Sequence, residues 1–470
     1  MPSAETGSGT TNNGTLDSKP YYKVGPLLQA FGFGWGTSTW GASTWGTPRA
    51  TSTAILDPGS WSLDNYGELL IATIKNGSTF SWDPNDGTGI NSRAVLLSGA
   101  PTASVLSVVS DRDRHLIICG TETTIGSAGT QDKMFIRFSD QESLTDYTAT
   151  SINTAGSFRI DSGTKIVGAA KAKDYILILT DTSAYLMQFV GPPFTFSIRQ
   201  VGSNCGCIGQ HSIVYANGNV YWMGASGGFF VFDGTVKALP SLVEDFVFST
   251  NDNAPGINFA HSELVYSSQN SLFSEIYWFY PAEASNFVNR CVAYNYEENT
   301  WYTSSLGRTT YTDTKVFNDP IATEFDNTVK PTLPSISGVS NGSSSVFNQE
   351  VGTNEVFANG TINAIPAFIK SGDFDLDSQG DGEFFIKIRR FIPDFKYVNG
   401  NAKVTLELRD YPANIQQGSP LGPFTITSST TKVDTRARAR LAAVKIENDS
   451  TNESWRFGQF RFDIQPDGRR

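Results

Sequence analysis

From residue 66 to about 308 one pattern keeps returning: an apolar run, a polar or glycine turn, then a second and more aromatic run. Short runs bounded by turn residues read as paired strands. The first pair is 68–73 and 79–82 around Asn76-Gly77, stopped by Asp83-Pro84. The second starts at 115–119 and continues with 134–138, and the third runs through 175–180, 184–190 and 194–199. The fourth, 212–216, 220–224 and 229–233, reads as a three-strand meander with Asn217-Gly218 and Gly227-Gly228 turns, whose positive backbone angles suit hairpins. The fifth is 276–280, 291–296 and Trp301-Tyr302. No segment sustains the apolar spacing of an amphipathic helix beyond about two turns. The fold class is therefore all-β.

Leu70, Ile117, Leu177, Tyr221 and Tyr277 serve as corresponding positions, with spacings of 47, 60, 44 and 56 residues. Such spacings suit propeller blades with variable loops better than a plain sandwich. Composition agrees: charged residues are 17% of the 470, below the usual quarter, while aromatics reach 12% and glycine contributes 44.

The expected organisation has four parts. Residues 1–50 are an N-terminal arm and a Trp/Gly-rich loop, 51–310 a β-propeller body, 311–365 a linker or long extended loops, and 366–470 a C-terminal β domain, sandwich-like. In the loop, Trp-Gly recurs at Trp35, Trp40 and Trp45, a five-residue spacing that fits neither helix nor strand. Large apolar rings on a glycine-rich backbone suit packing against a neighbouring chain, or equally a coil over this chain's own core. The 311–365 stretch is rich in Ser, Thr, Asn and Gly. Beyond it, 383–389, 403–409, 440–447 and 455–464 alternate apolar and polar residues as strands with one wet face do.

Charge is uneven. The net is −11, but residues 381–470 carry 15 Lys/Arg against 11 Asp/Glu, leaving 20 against 35 for residues 1–380. An acidic body disfavours tight nucleic-acid binding while permitting contact. Four cysteines are too few for a disulfide framework, and Cys205-Gly206-Cys207 is read as structural. Neither a signal peptide nor a membrane span is expected, the most apolar stretch, 220–232, being short and broken by glycines.

Chemistry is sparse. His115, His211 and His261 lie apart from one another and from the cysteines, so no zinc pattern forms. No nucleophile elbow, phosphate loop or His-Glu-X-X-His helix occurs. The carboxylates from Asp373 to Asp381 invite a Ca²⁺ reading but miss the EF-hand positions, and a solvated turn explains them. No catalytic, metal or cofactor residue is assigned. Arg436, Arg438 and Arg440 alternate, placing three guanidinium groups on one strand face, either a docking surface or a solvated one.

Phe138-Ser-Asp-Gln-Glu-Ser-Leu-Thr-Asp-Tyr147, Asn153-Thr-Ala-Gly156, Val190-Gly-Pro-Pro-Phe-Thr-Phe196, Val201-Gly-Ser-Asn-Cys-Gly206 and the 220–234 stretch resemble tail proteins of short-tailed bacteriophages (podoviruses). The likeness covers about residues 30–310 and is to the tail nozzle family, also called tail tubular protein B, tail hub or packaged-DNA stabilisation protein. That resemblance implies a propeller-bearing virion structural protein, not an enzyme, in a hexameric homo-oligomeric ring beneath the tail adaptor protein. It also implies contact with tail fibres or other tail components, transient non-specific contact with genomic DNA during retention and ejection, and residence in the virion tail after assembly in the host cytoplasm. The competing reading is a peripheral tail fibre or spike that binds or cleaves host surface glycans. A cellular kelch-like scaffold is a third.

Overall fold

The structure, a computed structural model, describes residues 28–31, 52–55, 60–87, 92–249, 256–282, 285–326, 343–356, 360–376, 384–411 and 420–468. Two compact units divide the chain, Met1–Gln349 and Glu350–Arg470.

In the first unit, β1 (Leu28–Phe31) pairs antiparallel with β2 (Ser52–Ile55). Six antiparallel sheets follow. The first holds β3 (Trp61–Tyr66), β4 (Leu69–Ile74), β5 (Thr79–Trp82) and β6 (Val95–Leu96); the second β7 (Leu106–Ser110), β8 (His115–Cys119), β9 (Phe135–Phe138) and β10 (Gly156–Arg159). The third holds β11 (Ile166–Lys171), β12 (Ile176–Thr180), β13 (Ser183–Gly191) and β14 (Thr195–Ser203). The fourth holds β15 (Ile213–Ala216), β16 (Asn219–Met223), β17 (Phe229–Phe232) and β18 (Val236–Leu239); the fifth β19 (Tyr266–Asn270), β20 (Glu275–Tyr280), β21 (Arg290–Asn295) and β22 (Thr300–Ser304). The sixth has three strands, β23 (Thr310–Thr312), β24 (Ile321–Asp326) and β25 (Ser343–Asn348).

Within each sheet the strands lie side by side in chain order, and the first strand of each sheet neighbours the first strand of the next. Hairpin chemistry explains the local order: Asn217 and Gly218 take φ of 48° and 82°, the doubly left-handed turn that matches strand twist. The fourth unit has four strands, not three, because β18 returns after Gly234. The stretch read as linker or loops carries β23 to β25.

A separate core fills each gap between successive sheets. Tyr66, Ile71, Leu116 and Ile118 pack between the first and second sheets, and Ile117, Ile136, Ile178 and Met187 between the second and third. Leu177, Leu179, Val220 and Trp222 lie between the third and fourth, Met223, Phe229, Trp278 and Val292 between the fourth and fifth, and Tyr277, Phe279 and Tyr311 between the fifth and sixth. Adjacent residues of one central strand thus serve opposite cores, which is why Ile117 and Ile118 are both fully buried.

The Cys-Gly-Cys motif belongs to this packing. Cys205 and Cys207 are buried, and their amides donate to the carbonyls of Thr182 (3.0 Å) and Thr180 (2.9 Å). Gly206 passes so close to the β12–β13 turn that a Cβ there would lie 1.9 Å from the Asp181 carbonyl oxygen and 2.2 Å from its carbon. Both are backbone atoms. Gly206→Ala is expected to lower stability by about 3 kcal/mol, the upper end of ordinary overpacking, read as the urea midpoint of the first unit. Gly87→Ala, which meets nothing within 4 Å, is the neutral control; equal midpoints for the two would refute the clash.

In the second unit β26 (Asn354–Val356) pairs with β27 (Ile362–Ala364). The other strands are β28 (Ala367–Lys370), β29 (Ile386–Asn399), β30 (Ala402–Arg409), β31 (Leu421–Ile426), β32 (Val433–Ala439), β33 (Leu441–Asn448) and β34 (Ser454–Pro466). They form two sheets, ordered β28-β33-β30-β31 and β32-β29-β34, with one shared core in which Ile388, Phe391, Val404, Leu406 and Ile446 are buried. No helix of the described residues is long and apolar enough to cross a membrane.

Candidate functional site

The reactive residue types are dispersed. All four cysteines are buried and free, and burial pushes the thiols of Cys119 and Cys207 up to about 12, far from nucleophilic. His115 sits among Phe138, Phe189 and Phe196, with Nδ1 2.7 Å from the Ser139 carbonyl oxygen. His211 stacks obliquely on Tyr266, 5.8 Å between centroids, and its strand segment bridges that residue in parallel. Buried His261 lies in the short 3-10 helix Phe259–Leu264. Among the described residues no three of His, Cys, Asp and Glu gather as metal ligands would. Asp373 instead accepts from Arg409 at 3.1 Å, and residues 377–383 of the acidic run lie outside the described residues.

What the first strands do bring together is a concavity of about 250 Å³ of mixed lining, with Ser62 and Asp64 of β3, Ser107 of β7, Lys171 of β11, and Gln210 and His211 before β15 beside the apolar Leu63, Leu106 and Val108. Its construction follows from an edge problem. The edge of β7 offers amides with no strand partner, and β3 meets them with side chains: Ser107 N–H donates to Ser62 Oγ (2.9 Å) and Val109 N–H to Asp64 Oδ2 (2.8 Å). Lys171 Nζ lies 2.8 Å from Asp64 Oδ1 and 2.9 Å from Asp111 Oδ2. Burial works against its charge, but the two carboxylates outweigh that and hold the ammonium above its ordinary range.

A second depression of about 280 Å³ lies beside it, with Asp111, Arg112, Lys173 and Asp174 around Met187, Phe189 and Phe196. Elsewhere in the unit, Glu263 receives both Lys75 (3.0 Å) and Lys165 (3.4 Å), so one carboxylate ties the first, third and fifth sheets. Lys75, Lys165 and Lys171 are each paired with a carboxylate here. Such an arrangement ties neighbouring sheets together.

Burial lowers the pKa of His115, partly offset by the Ser139 carbonyl, and lowers that of His211 against a bond to the Trp61 backbone, with Lys75 adding to the effect. Below about pH 6.5 the unfolded chain takes up protons that the folded rings refuse, so stability present above that pH drains away as pH falls. Asp140 and Asp181 have the same sign lower down. Burial opposes their ionised forms, yet hydrogen bonds from Thr154 and Thr164 prevail and hold both carboxyls below the usual range, so their contribution is lost below about pH 4. Melting temperatures should fall from pH 8 to 5, and the His115→Gln/His211→Gln pair should flatten that slope; an unaltered slope would remove the histidines from the account.

The sequence candidates fare differently. Trp35, Trp40 and Trp45 lie outside the described residues. Arg436 and Arg438 project from β32 as exposed residues on either side of buried Ala437. Arg438 also bonds Asp467 at 2.6 Å and covers the Phe385 ring at 4.0 Å. Arg440, half-buried just past the strand, lies 5.0 Å from the same ring and 5.5 Å from that of Tyr411. Arg456 and Arg461 of β34, absent from the sequence candidates, occupy the face that carries Arg436. The alternation along 455–464 was the available signal; the register joining β34 to β32 through β29 was not readable.

No protein-family model matches the chain, and no curated protein matches it. Among solved structures, the computationally designed Ika8 protein is similar at 10% identity and a TM-score of 0.35, covering 62% of this chain and 71% of that one. The AfRom2 CNH domain is similar at 11% identity and a TM-score of 0.33, covering 56% and 77%. The extracellular domain of the putative one-component system BT4673 from B. thetaiotaomicron reaches 10% and 0.33, covering 56% and 31%. Likenesses this slight decide neither fold nor role.

Proposed function

We propose that the chain is a structural subunit of a short-tailed phage tail, a nozzle protein whose ring retains packaged DNA and conducts it during ejection. In this reading the successive sheets of the first unit are blades of a β-propeller, and the role is non-enzymatic.

The observation that carries the proposal is the set of tail-protein-like motifs, which occupy positions of strict backbone demand. Val190 to Phe196 forms the β13–β14 hairpin end, with Gly191 and Thr195 at φ of 80° and 57°. Val201 to Gly206 includes the close-packed Gly206, and 220–234 spans the β16–β17 hairpin. The charge pattern supports the same reading. A channel through which DNA slides should not hold phosphate, since each neutralised phosphate adds affinity, and residues 1–380 carry 35 Asp/Glu against 20 Lys/Arg.

Quantitative mass spectrometry of particles containing the chain tests the role. Half the copy number of the portal protein is expected. A larger multiple of three would overturn the nozzle reading in favour of a peripheral, glycan-binding fibre or spike.

A further inference from the structure

In the first unit three turns are fastened together under exposed apolar side chains. Asp313 Oδ1 accepts from the Ser271 amide (3.1 Å) and hydroxyl (3.0 Å), which ties the β23–β24 turn to the β19–β20 turn. Asn295 ties the β21–β22 turn to the same place. Its amide nitrogen donates to the Phe273 carbonyl (2.9 Å), and its oxygen accepts from the backbone N–H groups of Glu297 (3.0 Å) and Glu298 (2.9 Å). On this platform Leu272, Phe273, Val316 and Phe317 are 53, 54, 88 and 54% exposed. Large apolar side chains held out to solvent on adjoining turns are a partner surface, unlike the single exposed residues scattered over any protein.

Charge gives the partner its chemistry. Residues 271–274, 296–299 and 313–320 include Glu297, Glu298, Asp313 and Asp319 against Lys315 alone. Asp313 is buried, and the other three carboxylates are exposed. The surroundings have the same sign. The six first strands run in one direction: Ser62 and Asp64 of β3 meet Ser107 and Val109 of β7 in ascending order, and Lys171 joins the ends of β3, β7 and β11 through Asp64 and Asp111. Gly168 and Ile213 meet at the starts of β11 and β15, His211 and Tyr266 bridge in parallel before β15 and β19, and Ser268 and Ser271 meet Tyr311 and Asp313 in ascending order. Turns from first to second and from third to fourth strands therefore share one end. Those turns, 67–68, 83–87, 92–94, 111–114, 139–155, 172–175, 192–194, 217–218, 233–235, 271–274, 296–299 and 313–320, hold 14 Asp/Glu against 5 Lys/Arg. We propose that the patch docks a cationic, amphipathic segment of another protein, with apolar side chains on Phe273 and Val316 and Lys or Arg on Glu297, Glu298 and Asp319. Nucleic acid and anionic lipid are repelled by the same carboxylates. A cationic segment is steered by them, and apolar anchors then hold it. The patch would dock such a segment on a chain with no place in a tail as well.

Fluorescence anisotropy tests it, with a fluorescein-labelled synthetic amphipathic peptide of Leu and Lys titrated with the purified full chain. Saturable binding is expected, and the same peptide with Glu in place of Lys should not bind. Phe273→Ser/Val316→Ser and Glu297→Lys/Glu298→Lys should each weaken binding about tenfold or more. Glu244→Lys/Asp245→Lys makes the same charge reversal at exposed residues between β18 and β19, at the opposite end, and should leave binding unchanged. Should the serine pair fail to fold, Val316→Ser alone decides, since that side chain is the most exposed of the four. A wild type that does not bind overturns the proposal. So does equal weakening by all three double variants, which would mean attraction to negative charge anywhere on the chain. Binding of phosphatidylcholine vesicles that the serine pair loses while peptide binding persists would overturn it in favour of a membrane surface, and loss of self-association in place of peptide binding would do so in favour of a second copy. Copy number in particles is independent of all these outcomes, so this docking and the tail role fail separately.

Discussion

Trp278→Ala should cost the first unit about 3–5 kcal/mol, among the largest effects available from a single side chain in this molecule. Trp278 is fully buried in β20, where its ring meets Phe229 at 4.9 Å and stacks on Trp301 at 6.1 Å. It therefore fills the gap between the fourth and fifth sheets, and no backbone pairing between β20 and the fourth sheet substitutes for it. Its indole N–H also donates to the Ser212 carbonyl, 3.1 Å away, at the approach to β15. Truncation removes the ring and one of the two donors to that carbonyl, which keeps the Met223 amide at 3.3 Å, so the lost hydrogen bond adds at most about 1 kcal/mol. Trp278→Phe keeps most of the apolar volume and should fall between alanine and wild type.

Because the chain forms two compact units, the loss should appear in one unfolding transition and spare the other. Urea unfolding followed by circular dichroism separates them. A shift shared equally by both transitions, or an alanine cost below about 1 kcal/mol, would show that this core is not what joins the two sheets.

The same packing explains what could be read from sequence. Leu70, Ile117, Leu177, Tyr221 and Tyr277, chosen as corresponding positions, fall in β4, β8, β12, β16 and β20, each the second strand of its sheet. Apart from β4, whose sheet borders a single core, these second strands face a core on both sides, so their sequences are nearly continuous apolar runs such as His115–Cys119 and Ile176–Thr180. First strands escape notice because their environment is mixed. β19 reads Tyr-Ser-Ser-Gln-Asn, polar enough to pass for a loop, yet the Ser267 amide and hydroxyl both donate to the His211 carbonyl, at 2.7 and 2.9 Å. Its polarity is a way of closing a sheet edge.

Ion pairs are invisible for a different reason. Lys75 and Glu263 are far apart in sequence, and nothing local to either announces the other. The arginine alternation around 436–440 lies between these cases: strand parity predicts the face, but the neighbours that complete it, Arg456 and Arg461, enter only through the pairing of β34 with β29. A one-residue slip in that register would send them into the core.

The other large effect expected is at Glu122, a carboxylate with no exposure at all. It follows β8 and organises the loop before β9: it accepts from the Thr102 amide (3.0 Å) and hydroxyl and from the amides of Gly126 (2.7 Å) and Ser127 (3.2 Å). Arg137 lies beneath the same loop, donating to the carbonyls of Glu122, Thr123 and Tyr147 at 3.3, 3.0 and 3.3 Å. Burial draws the Arg137 pKa down while the Glu122 charge opposes that.

Glu122→Ala strips three amides and the Thr102 hydroxyl of their charged acceptor and removes the charge that opposes the burial effect on Arg137, an expected loss of about 3–5 kcal/mol. Glu122→Gln keeps the shape but turns one acceptor into a donor aimed at other donors, and should cost about 1–3 kcal/mol. Replacing Arg137 with Met as well should recover part of the alanine loss, since the uncompensated charge is then gone. A cycle in which the two losses simply add would mean that Glu122 acts only through the loop amides. A glutamine variant as stable as the wild type would mean that its negative charge contributes nothing, and that hydrogen-bond geometry alone holds this turn against the second sheet.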